Sequence, residues 1–223
     1  MHVDGAFGAM AALAPNAIDR VSGMARADSL AFDLHKWLYV PFDAACVLVR
    51  DAAAHRRAFS PQASYLAHET RGTGSGVHWF NELGMELSRG FRALKVWMSI
   101  KEHGVARYGE QIAQNIAQAG YLAELVTSSR ELELCAPVPL NIVCFRVRSK
   151  TESPAELNAL NRELLVRLQE RGIAVPSSTM LEGRYVIRVA ITNHRSRRED
   201  FDLLVRAVVE LAGEVRRETG ARS

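Results

Sequence analysis

The sequence predicts an α/β protein that consists of part of a larger α/β layer and a small C-terminal α+β domain. Two apolar runs of strand length, SLAFDL and AACVLVR, lie within the first fifty residues and are bounded by turn residues. Continuous apolar runs of this length are typical of interior strands in a sheet that is covered on both faces. The second half alternates strand, helix, strand and helix, which predicts helices on one face of an antiparallel sheet.

The first half also predicts one short helix and one long loop. The alanine-rich run DAAAHRRAF predicts a short helix opened by Asp51. Residues 60–78 contain a proline and the glycine-rich run RGTGSG, and they predict a loop. A loop of this length is usually either functional or disordered, and we expect a mobile lid.

A long helix is predicted after the loop. Apolar residues recur every three to four positions, which predicts a helix from Glu82 to His103 that ends at Gly104. A second helix is expected to follow to about Val126. The apolar stripe of the first of these helices consists of Leu83, Leu87, Phe91, Leu94 and Met98.

Two later helices carry start signals. Ser153 and Glu156 are spaced as a capping box, with Pro154 at the first helical position. Ser196 and Glu199 have the spacing of a second capping box. The runs NIVCFRVR and RYVIRVAIT predict strands, and the second of them alternates as a half-buried strand does.

These elements divide the chain of 223 residues into two predicted domains. Residues 1–102 supply strands and a covering helix of the larger α/β layer. Residues 103–223 form the smaller α+β domain.

The composition is that of ordinary globular protein, with 48% hydrophobic and 24% charged residues and a formal net charge of +3. Basic residues are spread along the chain. The densest cluster, residues 194–198, is followed at once by Glu199 and Asp200. A nucleic-acid partner is not expected, because there is neither a basic stripe nor a known binding module.

The cysteines and the hydropathy pattern favour a cytoplasmic protein without a metal site. The three cysteines are an odd number without Cys-x-x-Cys spacing, and Cys46 and Cys144 lie in apolar runs. This pattern indicates a reducing compartment. No apolar run approaches the roughly 18 residues of a membrane span, so we expect no membrane partner. We also expect no secretory signal, because no basic segment precedes an apolar one at the N-terminus.

Lys36 follows the apolar run SLAFDL, in the sequence His-Lys-Trp. A lysine at a strand end is most often a solvated charge. The alternative is a pyridoxal phosphate site, which needs a lysine for a Schiff base, a carboxylate beside the pyridine nitrogen and small or flat groups against the ring. Freeing an amine with a reference pKa of ~10.4 at pH 7 costs about 4–5 kcal/mol, a cost that partial burial and neighbouring cations reduce.

The run HVDGAFG offers two of these groups. Residues two apart on a strand share a face. Asp4 and Ala6 can therefore both face one ligand ring, with Asp4 toward its edge and Ala6 flat against its face.

The runs HVDGAFG and ADSLAFDLHKWLYVPFDAACVLVR together resemble the cofactor segment of the group II pyridoxal-phosphate-dependent decarboxylases, which include aromatic-L-amino-acid, tyrosine, histidine and glutamate decarboxylases. The family pattern is His-Val-Asp-Ala-Ala-(Tyr/Trp)-Gly, then Ala-Asp-Ser, then a strand that ends in His-Lys-Trp. The resemblance continues in LSRGFRALKVWMSIKEHG, NIVCFRV and YVIRVAITNHRS and covers essentially the whole chain. It implies a partial large domain of the aspartate aminotransferase type (PLP fold type I), followed by the small α+β domain.

The resemblance also implies roles for particular residues. Lys36 is expected to be the Schiff-base lysine, Asp4 the partner of the pyridinium nitrogen and Ala6 the residue packed on the ring face. His35 is expected to lie near the cofactor phosphate and the lysine; the alternative is a satisfied, buried histidine. Trp37 is expected to serve packing. The implied activity is carboxy-lyase action on an L-amino acid with pyridoxal 5'-phosphate, in a full-length protein that forms a homodimer.

Three positions depart from the family pattern, and one of them, Phe7 in place of tyrosine or tryptophan, is a conservative change. Gly5 stands where the family usually has alanine, a change expected to be minor because that side chain should point away from the ring. In aromatic decarboxylases a lid tyrosine protonates the carbanion, but no tyrosine occurs here between Tyr65 and Tyr108. His78 is therefore the expected acid. If Phe80 occupies the tyrosine position, oxygen could intercept the carbanion and give an aldehyde.

The family also has a long N-terminal part before this segment, with a histidine stacked on the cofactor and small residues that grip its phosphate. We expect this chain to be a C-terminal portion, truncated before that part. Three interpretations stay open: a decarboxylase, a catalytically inactive remnant, and a related lyase or transaminase on the same scaffold.

Overall fold

The computed structural model describes residues 1–60, 71–72, 75 and 79–220. The chain forms two compact units. The first unit comprises Met1–Ala12 and Val21–Val105, and the second comprises Leu13–Arg20 and Ala106–Ser223. The domain boundary between residues 102 and 103 stays a prediction.

The first unit contains a three-stranded sheet in the order β1-β2-β3. Its strands are β1 (His2–Asp4), β2 (Ser29–Asp33) and β3 (Ala45–Val49). Strand β1 runs parallel to β2, and β2 runs antiparallel to β3. Both apolar runs thus form the strands that the sequence predicts.

Strand β3 is less covered than the sequence predicts. Val47 and Leu48 are 49% and 55% exposed, so the expectation of cover on both faces is wrong for this strand. The physical reason is its position, because β3 lies at an edge of the described three-stranded sheet and its successive side chains point to opposite faces.

Two short helices follow the strands of this unit. Helix α1 (Leu34–Trp37) comes directly after β2, and helix α2 (Ala52–Phe59) comes after β3. The Asp51 carboxylate accepts a hydrogen bond from the Ala54 amide at 2.9 Å. This is an N-cap contact, which confirms the predicted start of α2.

Helix α3 (Arg92–His103) is shorter than predicted. The expectation of one helix from Glu82 is wrong, because Phe80–Leu83 form a 3₁₀ turn and Gly84 is fully extended. The predicted end is confirmed. Gly104 takes a left-handed φ of +77°, and its N–H donates to the Ile100 carbonyl at 2.9 Å.

The second unit contains a four-stranded antiparallel sheet in the order β4-β5-β7-β6. The predicted antiparallel sheet is therefore confirmed, but two of its strands are absent from the sequence prediction. Strand β4 has only three residues, and β6 has the polar sequence SSTML. The elements are α4 (Val105–Ser128), β4 (Leu132–Leu134), β5 (Ile142–Val147), α5 (Pro154–Glu170), β6 (Ser177–Leu181), β7 (Arg184–Ala190) and α6 (Arg198–Gly220).

The core of this unit lies between its sheet and its helices. Phe145 of β5, Ile187 of β7, Leu164 of α5 and Leu211 of α6 are at most 1% exposed and belong to one cluster. Each such side chain stabilises the fold by about 1.5–3 kcal/mol relative to exposure. The buried amide of Asn161 is satisfied within this core, since it accepts from the Val147 amide at 2.8 Å.

One of the two predicted capping boxes is present. At α5, the Ser153 side chain accepts from the Glu156 amide, and the Glu156 carboxylate accepts from the Ser153 amide. The second box is wrong as predicted, because α6 begins at Arg198 and the Arg197 amide donates to Asp200 Oδ2 at 2.8 Å. Ser196 cannot cap this helix because it belongs to the preceding turn, where its amide donates to the Asn193 carbonyl.

None of the helices in the described part of the chain combines the length and hydropathy that crossing a bilayer requires.

Candidate active site

The site residues gather where two parallel strands end. Asp4 is the last residue of β1 and pairs with Ala31 of β2. Strand β2 ends at Asp33, and α1 follows with Lys36 in its single turn. The carboxyl ends of parallel neighbours meet at one edge of a sheet, where α/β proteins commonly bind ligands. The sequence suggests that Lys36 lies at the end of the strand. In the structure it lies in the helical turn that follows β2.

The amine of Lys36 contacts an anion and an aromatic ring. Its Nζ lies 2.5 Å from Asp33 Oδ2 and 5.1 Å from the centroid of the Phe7 ring. The Lys36 side chain is 35% exposed, so a ligand can reach it. Asp33 and Phe7 thus fix the position of the Lys36 amine at this edge.

Asp4 and Ala6 are fixed by the backbone that follows β1. The Ala6 amide donates to Asp4 Oδ1 at 3.1 Å. The Gly5 amide donates to the Ala31 carbonyl at 2.8 Å, which extends the pairing with β2 by one residue. Asp4 is exposed, so its carboxylate can also reach a ligand. The structure thus holds an oriented carboxylate and a small side chain two residues apart.

Gly5 is a packing requirement of this chain. A Cβ atom at this position would lie 2.7 Å from the Cβ of Ala9 and 2.9 Å from Cδ1 of Leu30. Both distances are shorter than carbon atoms can approach without a shift. The departure from alanine at Gly5 is therefore not minor for packing.

His35 is attached to the loop that leads to β3. Its Nδ1 lies 2.8 Å from the Ala44 carbonyl oxygen and 3.2 Å from the Ala44 amide nitrogen. The rings of His35 and Phe42 pack edge to face, with their centroids 4.9 Å apart. A satisfied, half-buried ring agrees with the packing alternative for His35. A cofactor contact would have to be made by its Nε2.

The loop from α1 to β3 turns back sharply, and this brings Ala44 beside His35. Tyr39 has a left-handed φ of 59°, and the Val40 amide donates to the Leu34 carbonyl at 3.2 Å. Burial raises the pKa of Tyr39 to about 12, so its hydroxyl keeps its proton at neutral pH. Trp37 is fully buried, as expected for a packing residue.

Two contacts at this edge, and one at the opposite end of the same two strands, were not anticipated from the sequence. Asp33 stands three residues before Lys36, a spacing that places the two on one side of a helical turn and could have signalled their pairing. Phe7 follows the neighbouring strand β1 and contacts Lys36 from there. The spacing of the two residues in sequence does not reveal this contact. His2 Nδ1 lies 2.7 Å from Ser29 Oγ, and the two residues are directly paired across β1 and β2.

One predicted site residue belongs to a part of the chain that the structure does not describe. His78, the expected acid of the lid, falls outside the described residues, as does most of the loop 60–78. Phe80, which could take the place of the lid tyrosine, is 78% exposed.

Comparison with known proteins identifies the family. Residues 1–148 match the pyridoxal-dependent decarboxylase conserved domain. The chain is 35% identical to an aromatic-L-amino-acid decarboxylase of Bacillus atrophaeus, over 96% of this chain and 45% of that protein. It is 37% identical to a histidine decarboxylase of Drosophila melanogaster, over 90% of this chain and 22% of that protein.

The fold agrees with this match. The crystal structure of Oryza sativa TDC with PLP and tryptamine superposes with a TM-score of 0.86 at 28% identity, covering 96% of this chain and 44% of that one. The chain thus spans less than half the length of these relatives. Its α/β fold class is confirmed as part of a type I fold. On the match of residues 1–148 and the likeness of fold, the chain belongs to the group II pyridoxal-phosphate-dependent decarboxylases, a family of carboxy-lyases.

Proposed function

We propose that this chain carries the reactive lysine and the pyridine-nitrogen partner of an enzyme that decarboxylates an L-amino acid with pyridoxal 5'-phosphate. The observation that carries the proposal is that Asp4 and Lys36 lie at the same edge of the sheet, Asp4 at the end of β1 and Lys36 just after the end of β2. The family assignment makes this chemistry the natural one for that pair.

The described residues fit the reactive end of the cofactor. The aldehyde carbon needs an amine, and Lys36 is partly exposed at the edge. The pyridine nitrogen needs a carboxylate, and Asp4 is oriented by the Ala6 amide. The flat ring needs a small neighbour, and Ala6 stands two residues after Asp4, as the family pattern requires. For the phosphate, His35 is the proposed donor through Nε2, because its Nδ1 is engaged with Ala44.

When bound, pyridoxal phosphate supplies an electron sink that accepts the electron pair of the bond broken at the substrate Cα. The residues of this chain prepare and support that step. Lys36 Nζ must lose a proton before it can bond to the cofactor, and Asp33 Oδ2 at 2.5 Å is placed to receive it. The Asp4 carboxylate would pair with the pyridine nitrogen and favour its protonated form, and Ala6 would lie against the ring face.

The proton that replaces carbon dioxide requires an acid. His78 is the proposed donor, because a histidine can exchange a proton near neutral pH. The substrate class is proposed to be L-amino acids with an aromatic or imidazole side chain, in keeping with the relatives. The full-length protein is proposed to be a cytoplasmic homodimer.

The first experiment traps the cofactor on the chain. Purified protein is mixed with pyridoxal phosphate, scanned for the imine absorption band, reduced with borohydride and mapped by peptide mass spectrometry. The label is expected on Lys36 and should vanish in Lys36→Ala. Lys101→Ala is the matched control, since Lys101 is exposed on α3 and its loss should leave the label in place. A label absent from Lys36 would refute the proposal.

A second candidate is a chain that binds cofactor without turning over substrate. The exposed apolar side chains of Val47 and Leu48 favour it, because they leave the described sheet of the first unit incompletely covered. The discriminating measurement follows carbon dioxide and aldehyde from an isotopically labelled amino acid. Carbon dioxide with amine supports the decarboxylase, aldehyde supports oxidative release, and a Lys36 label without either product supports the second candidate.

A further inference from the structure

We propose that the ion pair between Asp43 and Arg92 is a positioning device for His35, which lies beside the reactive lysine. The inference rests on the proposed function in one respect, namely that the orientation of His35 serves cofactor binding. The contacts themselves do not depend on that function. It assigns a role to two residues that lie 49 positions apart in sequence.

The first step concerns how His35 is held. One residue, Ala44, contacts the ring and the backbone of His35 together. The His35 amide donates to the Ala44 carbonyl at 3.1 Å, and His35 Nδ1 lies 2.8 Å from the same oxygen. The Ala44 amide nitrogen also lies 3.2 Å from Nδ1, so both backbone groups of Ala44 face this one ring nitrogen. This leaves Nε2 to face a ligand.

The second step concerns what holds Ala44. Asp43 precedes it, and Asp43 Oδ2 accepts a hydrogen bond from Arg92 Nε at 2.9 Å. Lys95 Nζ lies 3.8 Å from the other carboxylate oxygen, Oδ1. The hydrogen bond from Arg92 holds the pKa of Asp43 below its usual value, so the carboxylate stays charged near neutral pH. Both cations belong to α3, which thereby holds the loop before β3.

The third step is the location of Asp43 between two residues that touch His35. Phe42 places its ring 4.9 Å from the His35 ring, and Ala44 makes the hydrogen bonds. Fixing Asp43 therefore fixes both neighbours. A loop held at this one point constrains the plane of the His35 ring from its edge and from its Nδ1 side.

The sequence of α3 supports a dedicated pairing. Arg92 is the first residue of that helix, where the positive end of the helix dipole disfavours a cation. Two carboxylates offset this cost, since Glu86 Oε2 also lies 3.6 Å from Arg92 Nη1. An arginine at this position is thus paired rather than simply solvated.

The test reads the His35 ring directly in the full chain without cofactor. The ¹⁵N shifts of its Nδ1 and Nε2 report which nitrogen carries the proton. Asp43→Ala and Arg92→Gln are each expected to move the ring from one dominant tautomer toward a mixture. The double variant should add little to either single one, because both remove the same contact. The charge swap Asp43→Arg with Arg92→Asp should restore the parent shifts.

The control is Glu214→Gln, which breaks a similar surface ion pair with Arg171 in the second unit. It should leave the His35 shifts unchanged. Unchanged His35 shifts in both Asp43→Ala and Arg92→Gln would overturn the proposal, as would a charge swap that fails to restore them in a folded protein. Circular dichroism identifies variants that do not fold, and Arg92→Lys then serves as a milder variant expected to give a partial change.

Cofactor binding separates this inference from the proposed function. If Lys36 binds pyridoxal phosphate, both variants should weaken its apparent affinity by roughly two- to fivefold, as expected for a partly exposed pair. Loss of tautomer order in a chain that never labels at Lys36 would refute the proposed function and support the positioning role. Normal labelling of Lys36 with unchanged His35 shifts would support the proposed function and refute the positioning role.

Discussion

Lys36 Nζ and Asp33 Oδ2 lie 2.5 Å apart within one helical turn, so the proposed reactive amine has an anion as its direct neighbour. A primary amine attacks a carbonyl only in its neutral form. The same carboxylate that keeps the side chain in place therefore opposes its first reaction and can receive the proton once that reaction begins.

Asp33→Asn should accelerate capture of pyridoxal phosphate near neutral pH. Removing the charge breaks a partly exposed ion pair worth about 0.2–1 kcal/mol and frees the Lys36 side chain to reach the cofactor aldehyde, which predicts a rate increase of up to about fivefold. Stopped-flow absorbance of the imine band at several pH values measures it. Glu182→Gln, in a surface pair with Arg184, is the control. A slower capture in Asp33→Asn would contradict this prediction and show that proton acceptance by Asp33 outweighs the restraint of the ion pair.

Asp4→Asn should weaken cofactor binding without unfolding the protein. The asparagine oxygen can still accept from the Ala6 amide, so the turn after β1 is kept. The charge that stabilises a protonated pyridine nitrogen is lost, which predicts about 1.5–3 kcal/mol weaker binding, or roughly a tenfold to hundredfold rise in Kd. Spectroscopic titration with the cofactor gives the Kd. An unchanged Kd would remove Asp4 from the proposed site.

Gly5→Ala should destabilise the first unit by about 1–3 kcal/mol, because the added Cβ overlaps Ala9 at 2.7 Å. Denaturant unfolding measures the change. Ala9→Gly in the same chain should recover part of the loss by vacating the contact. Gly120→Ala on α4 is the matched control, since nothing lies within 4 Å of its new Cβ and helix propensity predicts a gain of about 0.5–1 kcal/mol. Equal effects at Gly5 and Gly120 would contradict this account.

The free energy of unfolding of the second unit should fall at acid pH, in part because protonation of Glu152 removes its ion pair with Arg216. Two hydrogen bonds from Arg216, at 2.8 and 3.1 Å, hold the pKa of Glu152 below its ordinary value of 4.5. A lowered folded-state pKa means that the stabilisation is present above pH 4.5 and is lost as the pH falls through the lowered value. Glu152→Gln should cost about 1 kcal/mol at pH 7 and little at pH 2–3.

The pH dependence is checked by unfolding at a series of pH values. Arg216→Gln should remove the same pH-dependent part, and the double variant should add little to either. A cost of Glu152→Gln that stays constant down to pH 2 would show that packing, and not the charge, accounts for it.

Local sequence patterns predicted part of the fold. The strands around Lys36, the N-cap at Asp51 and the capping box at Ser153 depend on residues close in sequence, and all are present. Strand β4 was missed because three residues carry too little pattern, and β6 because its side chains are mostly polar. The predicted start of α3 failed because the apolar spacing continues through a segment whose glycine is extended.

The site was predictable where it follows strand ends and not where it depends on distant contacts. Asp4 and Lys36 could be placed together because each follows a strand-like run, although their roles remain predictions. The pairing of Asp43 with Arg92 could not, since it joins a loop to a helix 49 residues later. Phe7 likewise reaches Lys36 only because β1 and β2 are neighbours in the sheet.

The parallel pairing of β1 with β2 sets an order for assembly. Lys36 and Ala44 lie between β2 and β3, which are antiparallel and consecutive, so their contacts close a short segment of chain. Asp4 reaches the same edge only after residues 5–28 have been spanned, and non-local pairings form more slowly than local ones. Pulsed hydrogen exchange should protect the His35 amide, which donates to the Ala44 carbonyl, before the Gly5 amide, which donates to the Ala31 carbonyl. Folding is therefore expected to place Lys36 and its neighbour Asp33 first, and the carboxylate of Asp4 joins this edge later.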